Sequence, residues 1–167
     1  METSNEKIQE VGRNIQEKAA LVWSVADDLV GAFKPHEYGL VVLPMAVIKR
    51  FHDCLLSTHD KVRETYAKVE KLAVKDGFLK KASGYQFYNT SKFTFDILLA
   101  DADNIKDNFE NYLNHFSENV IDIINRMDFY NEIKKMDVNN RLCLVIKVFS
   151  YAKAYLGSDV VPVVDMG

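Results

Sequence analysis

Pro44 stands inside the run Leu40 to Ile48, nine almost wholly apolar residues opened by Gly39 and closed by Lys49 and Arg50. That placement limits what the segment can become. A membrane span needs about 20 apolar residues, more than twice this run. A buried strand of a parallel sheet needs neighbouring strands in βα alternation, and the flanking sequence has no such alternation. A helix fits best. Pro35 suits a first helical turn, where its missing N–H costs nothing. Pro44 removes one internal hydrogen bond and crowds the preceding turn, which predicts a kink or break near Leu40 to Leu43. The expectation is a helix from about Pro35 that buries Leu43, Val47, Ile48 and Phe51 and runs through the centre of a helical domain.

The flanking sequence carries helical spacing. Ile15, Ala19, Val22, Ala26 and Leu29 recur at three and four residues beside Trp23, and Gly31 is a stop signal. Val62, Tyr66, Val69 and Ala73 form a second stripe that fades near Gly77 or Gly84. Ile105, Phe109, Tyr112, Phe116, Val120, Ile123 and Met127 form a third, with Ser117 placed to cap a new helix over "ENVIDIINRM". Asp128 is placed to cap a short helix through Lys135. Leu142, Val145, Val148, Ala152 and Leu156 predict a last helix, started by Asn139 or Asn140 and stopped at Gly157. Only "YQFYNTSKFTF" (85–95) departs from this spacing. Its alternating aromatic residues fit either a short β-hairpin or an ordered loop leading into a helix capped by Ser91 or Thr94. The expected fold is mainly α: a compact multi-helix domain over 14–157, between a flexible tail (1–13) and a linker (158–167).

With 167 residues the chain suffices for one domain with a sizeable core. Its apolar fraction of 48% and charged fraction of 27% are those of a soluble globular protein. The polar stretch Met1 to Glu10 lacks the apolar core of a signal peptide. Cys54 and Cys143 sit in apolar runs, as buried free thiols do, which fits a cytoplasmic location. A net charge of −3 gives no global attraction to nucleic acid or to acidic membranes, so any DNA contact must come from a local patch.

Catalytic signatures are absent from the sequence. No Gly-x-Gly pair occurs, which removes the dinucleotide and phosphate loops. "KDGF" (75–78) is a turn and not the Asp-Phe-Gly of kinases. His52, Asp53, Cys54 and His59 cluster in sequence, but zinc sites favour paired ligand spacing, and a Cys54–His nucleophilic pair lacks a third, orienting group. No catalytic, cofactor-binding or metal-ligating residue is assigned. The stripe Lys61, Lys68, Lys71 and Lys75 is interrupted by Glu64, and its ordinary reading is a solvated helix face.

Three stretches in order carry a resemblance. "AALVWSVADDLVGAFKPHEYGLVVLPMAVIKRFHDCL" (19–55) contains Trp23, "ADDLVG", "HEYG" and "VLPMAVIKRFHD". "FYNTSKFTFDILLADADNIKDNFENYLNHFSENVIDIINRMDF" (87–129) follows, and "LGSDVVPVVDMG" (156–167) closes the chain. Together they resemble the start of the modification subunit of type I restriction–modification systems, over nearly all of the chain beyond the first dozen residues. In that prokaryotic family the subunit transfers a methyl group from S-adenosylmethionine to the exocyclic amine of adenine, through an Asn-Pro-Pro-Phe type motif and a Gly-rich loop. Neither motif is in this sequence. The resemblance therefore implies the N-terminal helical domain alone, without chemistry of its own, followed in a parent protein by the domain that would use the cofactor.

The resemblance implies an assembly and DNA-clamp role. The partners would be a specificity subunit, a second modification subunit, a restriction subunit and duplex DNA. The residues expected to face DNA or a partner are Lys34, His36, Lys49, Arg50, Lys68, Lys71 and Lys75. The acidic run Asp96, Asp101, Asp103, Asp107 and Glu110 would turn away from phosphate. The alternative is a stand-alone helical regulatory domain that binds a small ligand or another protein.

Overall fold

In the computed structural model, residues 23–151 and 154–158 are described, together with 16, 17 and 20. The expected positions Ile15, Ala19, Val22 and Ala152 lie outside these residues. Ala26–Leu29 forms a short helix, α1, that ends as Gly31 turns into the left-handed region at φ +87°. Only glycine adopts that conformation freely. A 3-10 turn over Pro35–Glu37 leads into α2, Gly39–Leu55. A second such turn, Leu56–Thr58, leads into α3, His59–Val69, and α4 spans Asp76–Ser83, so the Asp76-Gly77-Phe78 stretch read from sequence as a turn opens a helix instead. After an irregular connector come α5 (Phe95–Ala100), a third 3-10 turn (Ala102–Asn104), and α6 (Ile105–Asn114). The last helices are α7 (Glu118–Arg126), α8 (Phe129–Val138) and α9 (Leu142–Ser150). The mainly α, compact fold expected from the spacing is the one observed.

The main core gathers Leu29 and Phe33, the inner face of α2, and the apolar faces of α5 to α9. Val41, Met45 and Ile48 of α2 meet Phe109, Ile133 and Phe149 from the surrounding helices in this cluster. The α3–α4 hairpin has a smaller core of its own, made of Val62, Val69, Leu79, Ala82 and Tyr88 with Tyr66 packed against it.

α2 removes the break from the two alternatives expected near Leu40 to Leu43 and corrects the expected burial of Leu43. The helix is not broken at Pro44, which lies within it. Proline there deletes one bond, to the Leu40 carbonyl, and Leu40 is itself half exposed. Leu43 is not buried: it is 59% exposed, whereas Ile48 is 0% exposed. α2 is thus amphipathic in its first turns rather than apolar all round. Val47 and Phe51 are half-buried.

The 85–94 connector is the ordered loop and not the hairpin. Instead of folding on itself, it is stitched to the α6–α7 junction through an isolated bridge between Asn89 and Phe116. The Thr90 amide donates to the His115 carbonyl at 3.0 Å, and the Ser117 amide donates to the Tyr88 carbonyl at 2.9 Å. Asn89 Nδ2 donates to the Tyr112 carbonyl at 2.8 Å. Thr94 then caps α5 by accepting from the Ile97 amide at 3.3 Å. Ser117 separates α6 from α7 as expected, but its hydroxyl accepts from the Tyr88 amide instead of capping α7. The break re-phases the stripe, so Ile124 is buried and Ile123 is exposed. α9 ends at Ser150, well before Gly157, because Tyr151 turns extended at ψ 148°.

Candidate nucleic-acid and partner interface

The seven basic positions divide into three environments. Lys34 and His36 are exposed at the turn before α2. Their neighbour Glu37 accepts from the Lys34 amide at 2.9 Å and from Lys135 Nζ at 2.7 Å. Lys135 also lies over the Phe33 ring at 4.3 Å. The hydrogen bonds from Lys135 and from the Lys34 amide hold the Glu37 carboxyl below its ordinary range. This corner is therefore a mixed-charge surface, not a basic one.

Lys49 and Arg50 are withdrawn from any surface patch, a correction to the sequence expectation. They are 4% and 7% exposed. Buried cations require partners, and both have them. Lys49 Nζ pairs with Asp53, one helical turn on, and Arg50 donates to the Leu156 carbonyl at 2.7 Å. His52 joins the same network. The Phe95 amide donates to its Nε2 at 3.1 Å, which makes Nε2 the acceptor and leaves the proton on Nδ1. Nδ1 donates to Asp53 Oδ1 at 2.7 Å. Burial pushes the His52 pKa down, against the pull of Asp53, so the ring is neutral. Burial alone would raise the Asp53 pKa, but the His52 hydrogen bond and the Lys49 charge outweigh it and hold the carboxylate ionised.

Lys68, Lys71 and Lys75 stay together at the tip of the α3–α4 hairpin. Lys68 and Lys71 are exposed, and Lys75 lies half-buried over the Tyr66 ring at 5.7 Å. Residues 59–84 hold seven Lys or Arg against four Asp or Glu, a net +3 within a chain of net −3, so the rest of the chain carries −6. Arg63, exposed on α3, strengthens a stripe that sequence reading confined to lysines. Leu72, Val74 and Phe78 stand exposed among these cations, Val74 at 75%. A cleft of about 550 Å³ opens beside them, between the hairpin and the Thr90 and His115 strip, with Tyr66 and Tyr88 in its wall. Tyr88 donates to Asp76 there, and burial together with that bond pushes its phenol pKa up.

The hairpin and the Lys34–His36 corner attach at opposite ends of α2, a 17-residue helix and so about 25 Å of rise. Of the acidic run, Asp96, Asp101, Asp103 and Asp107 are exposed. Asp101 is tied by the side-chain amides of Asn104 and Asn108, each at 3.0 Å. His59, the other member of the sequence cluster around Cys54, has its Nε2 2.8 Å from the Ser91 carbonyl. Among the described residues no group of three or more His, Cys, Asp or Glu is placed to hold a metal, and no helix is long and apolar enough to cross a membrane. Among the described residues, charge is thus segregated between a basic hairpin and an acidic stretch around Asp96 to Asp107.

Comparison with curated proteins and with solved structures returned no match. The sequence model described as "HsdM N-terminal domain" matches residues 18–149, well over half of the chain. That span takes in α1 to α8 and all but the last residue of α9. The chain belongs to the HsdM N-terminal domain family, the N-terminal helical domain of the modification subunit of type I restriction–modification systems.

Proposed function

We propose that this domain works as an assembly and DNA-clamp module. It uses the α3–α4 hairpin to approach duplex DNA and leaves methyl transfer, with S-adenosylmethionine, to a catalytic domain elsewhere in the assembled cytoplasmic enzyme. The observation that carries the reading is the concentration of net +3 in residues 59–84 of an acidic chain. Non-specific DNA affinity comes chiefly from counterions released when Lys and Arg neutralise phosphates, and this hairpin carries cations in excess. The acidic surface around Asp96 to Asp107 disfavours the opposite orientation. Apolar side chains left exposed on α2, Leu40 and Leu43, suit contact with another subunit, whether specificity, restriction or a second modification subunit.

Reconstitution tests the reading. Modification subunits that lack this domain, assembled with the specificity subunit, should lose DNA affinity and methylation, and a fusion that restores the domain should return both. Full activity without the domain would sink the proposal. Isothermal titration of this chain alone with S-adenosylmethionine should show no micromolar binding.

A further inference from the structure

The buried charges on the second half of α2 are arranged around the backbone of a single residue. Arg50 and Asp53 are three positions apart and share a helix face. Arg50 donates to the Leu156 carbonyl at 2.7 Å, and Asp53 Oδ2 accepts from the Leu156 amide at 2.8 Å. Both polar groups of one main-chain unit are thus held by side chains of one helix. Lys49 and His52 complete the arrangement by pairing with the same carboxylate. Around it Ala154, Leu156 and Gly157 are buried, and the Tyr85 hydroxyl lies 2.7 Å from the Ser158 hydroxyl. Cys54, next to Asp53, lies beneath this segment, and its thiol meets Tyr85 and the Ser158 backbone.

Two buried opposite charges cost desolvation energy that a core of plain hydrophobic residues avoids. A packing role for Arg50 and Asp53 would be met equally well by apolar side chains. Recognition of a main-chain N–H and C=O is not, because those groups need an acceptor and a donor at fixed positions.

We propose that Arg50 and Asp53 form a main-chain docking site on α2 whose ligand is the chain's own segment 154–158. This clasp holds the segment that follows α9 against the second half of α2. The segment is held by hydrogen bonds at Leu156 rather than by helical continuity with α9, which has already ended at Ser150. Opening the clasp lifts the segment away and uncovers Cys54 while the helices stay folded.

The test follows the reaction of Cys54 with the thiol reagent DTNB in the whole chain, with Cys143→Ser removing the second thiol. Leu156→Ala shortens the side chain but keeps the amide N–H, whereas Leu156→Pro removes the N–H that Asp53 accepts. The proline variant should label Cys54 roughly tenfold faster than the alanine variant, as expected for local opening, with the helical circular dichroism of both unchanged. Equal rates would overturn the proposal. If Leu156→Pro does not fold, Arg50→Gln decides. Faster labelling at native circular dichroism supports the clasp, and labelling at the parent rate overturns it.

Discussion

Leu43 and Ile48 sit five positions apart on α2 and meet opposite environments. Ile48→Ala should cost about 2–5 kcal/mol in urea unfolding, because a fully buried side chain leaves a cavity behind. Leu43→Ser, on the exposed side, should change stability by less than about 0.5 kcal/mol. The sequence could not separate the two, since an uninterrupted apolar run carries no polar positions to mark its outer face. Lys49 and Arg50 misled in the reverse sense. Cations at the end of an apolar run read as a solvated boundary, and their burial depends on Asp53 and on Leu156, more than 100 positions away. His52 adds a pH dependence. Its native pKa lies below the ordinary 6.5, so below that value the unfolded chain binds protons that the folded chain refuses. The stability from neutral His52 is complete above pH 6.5 and is lost as pH falls toward its native pKa. Asp53, also lowered, adds a loss of the same sign below its ordinary 3.8. Thermal unfolding should therefore show a lower midpoint at pH 5.5 than at pH 7.5. His52→Asn should be less stable at pH 7.5 but lose less across that interval.

Helices were legible where apolar spacing and breakers agreed. Gly84 ends α4 and Thr94 caps α5, each a residue whose side chain or backbone freedom has a local mechanism, while Ser117 marks the break between α6 and α7 without capping it. Gly84 closes α4 at φ +80° with open space where a Cβ would sit. Gly84→Ala should consequently cost about 1–2 kcal/mol through backbone strain alone, seen as a lower urea midpoint with an unchanged slope. Legibility failed where distant partners decide. The 85–94 aromatic alternation resembles strand pairing, yet its backbone bonds go to the α6–α7 junction, which no local pattern reveals. The end of α9 was misplaced for a similar reason. Leu156 is buried as its helical spacing predicted, but it reaches the core in a docked, non-helical segment.

At the scale of the whole molecule, charge is segregated, not merely balanced. The basic hairpin has its own small core, separate from the main one, so its face can be altered without disturbing the α2-centred body. Of the candidate contact residues, only Lys68, Lys71 and Lys75 were legible in the sequence as part of a lysine stripe. Their gathering at one tip depended on the turn between α3 and α4, and the loss of Lys49 and Arg50 to the interior depended on tertiary contacts. The most direct measurement of the account is the salt dependence of duplex DNA binding by the assembled enzyme carrying Lys68→Glu, Lys71→Glu and Lys75→Glu. Weaker binding is expected, with a plot of log affinity against log salt flatter by roughly one unit for each lysine that meets a phosphate, and with subunit assembly intact. An unchanged slope with full affinity would contradict the account and reduce the hairpin to a solvated face.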